Sequence, residues 1–206
     1  MDPMRIRAVI GALAVVTLSL FPTAVQAVDY DFASVDSSGT ALPELGATVP
    51  SVNTSGTIAF AALAFDPAAN SSGYVVFRGD GVQLMPLLNL TDVLGVGSPS
   101  PLVINDAGAL AVHYSLGTEA AVVRINADGS FVVLARADQR GSAPYLEFAA
   151  AISMNAAGEV VALATNPDAT SSIVRFDDGG IARSSPALVS LSSPTINDVG
   201  VVAFTA

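Results

Sequence analysis

The chain has 206 residues, 51% hydrophobic and only 13% charged, enough to bury a sizeable core and too apolar for intrinsic disorder. Its eight basic residues are all Arg and face eighteen acidic ones. The net charge of −10 argues against nucleic-acid binding, which needs clustered cations to displace counterions, and the acidity reads as a solvated surface. With no Cys, disulfides, thiolate zinc sites, iron–sulfur clusters and cysteine nucleophiles are excluded as well.

Residues 1–27 come first and read as an address. Arg5 and Arg7 open them, Ala8 to Phe21 form an uncharged apolar run, and Pro22 breaks it. Val25 and Ala27 then stand at the −3 and −1 positions of a cleavage site, the layout of a secretory signal peptide. The run is shorter than the ~20 residues that span a bilayer as a helix. The expectation is an exported chain, secreted or at the cell surface, with no membrane insertion after signal cleavage.

Residues 28–206 form the second domain, in which one phrase returns four times. It reads SVNTSGTIAFAA from Ser51, VINDAGALAVHY from Val103, SMNAAGEVVALA from Ser153 and TINDVGVVAFTA from Thr195. Asn53, Asn105, Asn155 and Asn197 are each followed three residues later by Gly56, Gly108, Gly158 and Gly200. Asn opens a type I turn and can bond back to its own loop, while Gly at the fourth position accepts positive φ. After each Gly, apolar side chains fill both alternating faces, as in a strand buried on both sides. The phrase is therefore expected to be a strand–turn–strand hairpin.

A second hairpin is signalled by Asp80-Gly81, Asp128-Gly129 and Asp178-Gly179, each after a strand-like run: YVVFR, AAVVRIN or SSIVRF. Pro43, Pro86, Pro144 and Pro186 then mark crossings toward the next unit. Units starting near 50, 101, 151 and 193 thus hold four strands in about fifty residues each, the pattern of a propeller blade. The expected fold is all-β: β-propeller-like tandem repeats of four-stranded antiparallel blades, about three and a half units, an incomplete ring.

The phrase resembles the NxxGxxAF tandem-repeat family of exported bacterial proteins, whose members carry different C-terminal surface anchors ("choice-of-anchor"). Asn53 to Phe60 and Asn197 to Phe204 match the motif throughout, while the second and third copies depart at their last positions, Ala111-Val112 and Val161-Ala162. The resemblance implies a propeller-like fold and surface display, and it implies no activity. The fourth phrase stops at Ala206, inside its second strand. The expectation is a fragment of a longer protein, with any C-terminal surface anchor in the missing sequence.

Catalytic, cofactor-binding and metal residues are expected to be none. His113, the single His, has no identifiable Ser or carboxylate partner, and no G-x-S-x-G elbow occurs. Glu44, Glu119, Glu147 and Glu159 do not recur in the repeat, so nothing recommends a glycosidase pair. The turns Asn105-Asp106, Asn126 to Gly129, Asp177 to Gly179 and Asn197-Asp198 resemble pieces of calcium loops without the full ligand set, which leaves calcium as the weaker alternative to turn chemistry. Asn53, Asn70 and Asn89 begin glycosylation sequons by pattern only. The function expected is a non-enzymatic scaffold that presents uneven loops, chiefly Asp66–Gly73 and Leu88–Pro101, to an unknown protein or glycan. The rival is a propeller-type carbohydrate-active hydrolase or lyase whose catalytic residues lie partly outside this sequence.

Overall fold

The computed structural model describes residues 48–66, 70–80, 83–177, 180–181 and 191–205, all within a unit spanning residues 35–206. The expected signal peptide, Pro43, Glu44, Pro186, Gly81 and the Asp178-Gly179 turn lie outside the described residues.

The fold is all-β. Strands β1 (Ser51–Val52), β2 (Ile58–Asp66), β3 (Ser71–Gly79) and β4 (Leu84–Asn89) pair antiparallel in sequence order. A short helix α1 (Leu90–Leu94) follows. The second sheet repeats the arrangement with β5 (Ser98–Ile104), β6 (Leu110–Leu116), β7 (Glu119–Ile125) and β8 (Phe131–Asp138). The third does so with β9 (Glu147–Met154), β10 (Val160–Thr165), β11 (Ser171–Asp177) and β12 (Gly180–Ile181). Strands β13 (Ser192–Ile196) and β14 (Val202–Thr205) form a two-stranded sheet.

Each Asn-x-x-Gly phrase is the turn joining the first two strands of a sheet. The Asn105 N–H donates to Ala109 O and the Gly108 N–H returns to Asn105 O, both at 3.0 Å. The other three turns close the same way. The turn glycines carry φ of 81, 79, 83 and 79°, where a Cβ would crowd the backbone. Asp128-Gly129 closes the β7–β8 hairpin with an equivalent turn, Gly129 N–H to Asn126 O at 2.9 Å.

The core lies between successive sheets. In β6, Leu110, Val112 and Tyr114 face the first sheet and meet Ala59, Ala61 and Val76. Ala111 faces the third sheet and meets Val160, Ala162, Val174 and Phe176. All these side chains are buried, so β6 has no solvent face. Small residues of one sheet oppose bulky residues of the next, which lets neighbouring sheets approach and fill the space between them.

Three sequence expectations are corrected. Pro86 does not mark a crossing; it stands in β4 opposite Phe77, beside a register shift. An edge strand at a bulge tolerates a residue without an N–H. Leu88–Pro101 is not an open loop either. Asn89 caps α1 by accepting from Thr91 and Asp92 N–H, Leu90 is fully buried, and β5 already runs from Ser98. Asp66–Gly73 is shortened in the same sense, because Asp66 pairs with Ser71 at the end of the β2–β3 ladder.

Candidate functional site

The repeated polar residues bind the units to one another. Asn53, Asn105 and Asn155 spend their carboxamides in two directions, and Asn197 shares the first of them. The oxygen accepts the N–H four residues on: Thr57, Ala109, Glu159 and Val201, at 2.8 to 2.9 Å. The nitrogen reaches the next unit. Asn53 donates to Asn105 O at 3.1 Å, Asn105 to Asn155 O at 3.0 Å and Ala156 O at 3.2 Å, and Asn155 to Asn197 O at 3.2 Å. Burial follows: Asn105 and Asn155 are 7% and 3% exposed, whereas Asn197 is exposed.

The Asp residues beside the turns have related roles. Asp106 accepts the Thr54 N–H at 2.9 Å and Asp198 the Ala156 N–H at 2.8 Å, so both cross from one turn to the preceding one. The Thr54 N–H holds the Asp106 carboxyl below its ordinary value. Asp128 stays within its own turn, accepting from the Ser130 hydroxyl and N–H, which likewise lower its pKa. Among the described residues, no three His, Cys, Asp or Glu side chains gather as a metal site.

Sequence reasoning missed a fourth repeating residue. Arg78, Arg124 and Arg175 sit at the same place in β3, β7 and β11, opposite Ala59, Ala111 and Val161. Each donates to the turn Gly carbonyl of the following unit: Gly108 at 3.0 Å, Gly158 at 3.3 Å and Gly200 at 3.2 Å. The signal was present in YVVFR, AAVVRIN and SSIVRF, where Arg closes an apolar pair each time. Arg175 also pairs with Glu159, whose other oxygen accepts from Asn155 at 2.6 Å.

His113 is 7% exposed and faces the third sheet. Its Nδ1 donates to Ser100 O at 2.5 Å, which leaves Nε2 buried with no partner among the described residues. Burial pushes its pKa down, and the Ser100 carbonyl and the Glu147 charge oppose that shift less strongly. Glu119 and Glu147 are exposed at strand starts, and Glu159 is committed to Arg175 and Asn155. Tyr114 is buried, and its hydroxyl donates to Gly95 O at 2.9 Å.

Two cavities lie along the unit boundaries. One, of about 520 Å³, runs beside β5, β9 and β13; Pro101, Val103, Ile152 and Met154 line it with Ser51 and Ser153. Both hydroxyls already serve the backbone, accepting from Ile104 and Ile196 N–H. The other, of about 400 Å³, opens beside the first two turns and is lined by Asn53, Thr57, Arg78, Asp80 and Asp106, among others.

No protein-family model matches the chain, and no curated protein matches it either. Among solved structures, a luciferin-regenerating enzyme is similar over 64% of this chain, at 13% identity and a TM-score of 0.34. The chain spans 45% of that enzyme's length, and a likeness this distant bears on neither fold nor chemistry.

Proposed function

We propose that the chain is an exported or cell-surface repeat scaffold of β-propeller type, its four-stranded sheets serving as blades of NxxGxxAF-like units. It presents its loops for contacts with proteins or glycans. The observation that carries this reading is the destination of the repeated polar side chains. Asn53, Asn105 and Asn155, together with Arg78, Arg124 and Arg175, all bond to the backbone of the following unit. What recurs therefore builds a frame, and what differs between units is free to vary with a ligand.

The makeup of the larger cavity also supports a frame over a hydrolase or lyase. Apolar side chains and backbone-bonded hydroxyls line it, a poor setting for moving protons. The test has two arms. Protease treatment of intact source cells is expected to release peptides of this chain, or the chain is expected in the culture medium. Purified protein is expected to release no sugar from neutral or acidic polysaccharides. Turnover abolished by replacing Glu119, Glu147 or His113 would establish the enzyme instead.

A further inference from the structure

A hydroxyl caps the first strand of the next unit at two unit boundaries, and the boundary between them lacks it. Two residues before the turn Asn stand Ser51 in β1, Val103 in β5 and Ser153 in β9. The Ser51 hydroxyl accepts the Ile104 N–H at 3.2 Å, and the Ser153 hydroxyl accepts the Ile196 N–H at 3.4 Å. Each of these N–H groups belongs to the residue just before the next turn Asn, which in the third unit is Met154. The Asn155 N–H goes to Glu159 O across the β9–β10 hairpin. Alternation along the ladder therefore turns the Met154 N–H away from β10, to the open edge of β9. Val103 stands there in the place of the two serines, with no side-chain oxygen to offer. Among the described residues no acceptor takes the Met154 N–H. Val103 and Met154 line the cavity of about 520 Å³, as do Ser51 and Ser153.

We propose that this cavity binds a neutral small molecule whose carbonyl oxygen accepts the Met154 N–H and whose apolar body lies against Pro101, Val103 and Ile152. A main-chain donor set in apolar surroundings is costly to leave unpaired, so an acceptor brought to it adds affinity. The serines work in the same direction. Each hydroxyl accepts a main-chain N–H and keeps its own proton, which it can donate to a ligand oxygen. The rest of the lining sets the class of ligand. Among the described residues it contains no charged side chain. A carboxylate would enter without a cation to offset its desolvation, in a chain of net charge −10. A polyhydroxylated sugar would leave hydroxyls unpaired against Val103, Ile152 and Met154. The volume lies within the roughly 300–1,000 Å³ typical of ligand sites.

The inference goes beyond the scaffold reading and does not rest on it. Its test is titration of the full, isotope-labelled chain with acetophenone, followed through the amide resonance of Met154. Ethylbenzene serves as the counterpart without oxygen, and benzoate as the charged one. Acetophenone is expected to shift the Met154 amide saturably, with ethylbenzene and benzoate each at least about threefold weaker. Val103→Thr nearly keeps the shape of the side chain and supplies the hydroxyl that Ser51 and Ser153 supply at their own boundaries. It is expected to cap the Met154 N–H and to weaken acetophenone about three- to tenfold, down to the level of ethylbenzene. The ligand comparison on the parent protein stands whether or not that variant folds. No saturable acetophenone shift, equal binding of ethylbenzene or of benzoate, or undiminished acetophenone binding by a folded Val103→Thr protein would each overturn the proposal.

Discussion

The Asn105 carboxamide nitrogen lies 3.0 Å from the main-chain oxygen of Asn155, fifty residues further along the sequence. The same side chain closes its own turn through Oδ1 on the Ala109 N–H. One residue thus holds a turn in shape and fastens it to the next.

Replacing Asn105 with Ala strands the buried partners on both sides. The cost expected is about 2–3 kcal/mol, since each buried polar group left unsatisfied costs about 1–3 kcal/mol. Among the described residues the Asn197 side chain bonds only within its own turn, to the Val199 and Val201 N–H, and it is exposed. Asn197→Ala is expected to cost under about 1 kcal/mol because water replaces what is lost. Urea denaturation of the two variants reads the difference, and equal losses would mean that the inter-unit bonds contribute nothing.

Gly108 and Gly56 share a positive φ, at 79 and 81°, so alanine strains both by about 1–2 kcal/mol. Their surroundings differ. A Cβ at Gly108 would lie 3.3 Å from Arg78 Nη1, whereas at Gly56 it would meet open space. Gly108→Ala is expected to melt lower than Gly56→Ala, and the gap should close when Arg78 is also replaced.

Arg175 and Glu159 are partly exposed, at 33% and 19% for their side chains, so their pairing is screened. A double-mutant cycle with Arg175→Met and Glu159→Gln should give a coupling of about 0.5–1 kcal/mol. Salt of about 1 M, where the Debye length falls to about 3 Å, should shrink it. Undiminished coupling in high salt would assign it to the hydrogen bonds to Gly200 and Asn155 instead.

His113 is neutral in the fold and held there by burial, with its pKa depressed from 6.5. The unfolded chain therefore takes up a proton first as pH falls. Stability is expected to be intact above about 6.5 and to decline below it, as the pH falls toward the folded-state pKa. His113→Gln should flatten that limb of the melting-temperature profile. The carboxyls of Asp106 and Asp128 lie below their ordinary 3.8 in the fold, so their contribution is lost only in stronger acid.

What was legible in the sequence was local. The Asn-x-x-Gly spacing and the period-2 runs specify turns and strands within a dozen residues, and both are present at the places they point to. The turn Asn was read as bonding its own loop, which is half of its role. The other half, in Asn105 Nδ2, depends on a neighbour fifty residues away. Arg78, Arg124 and Arg175 were visible as letters but not as a set, because only the register β2–β3, β6–β7 and β10–β11 aligns them. Leu88–Pro101 looked like a loop because its length breaks the repeat, and nothing local shows that Leu90 is buried. The contrast of Val103 with Ser51 and Ser153 acquires meaning only once the N–H groups beside them are known to correspond.

The side-chain donors of the turns all point the same way. Asn53, Asn105, Asn155, Arg78, Arg124 and Arg175 each seek an oxygen that comes later in the chain. On a ribosome, where synthesis begins at the N-terminus, a freshly emerged unit holds out its donors before their acceptors have been made. The turn of Asn53 waits for 52 further residues before Asn105 supplies its oxygen. Growth of the frame is thus vectorial, each unit becoming finished only when its successor arrives.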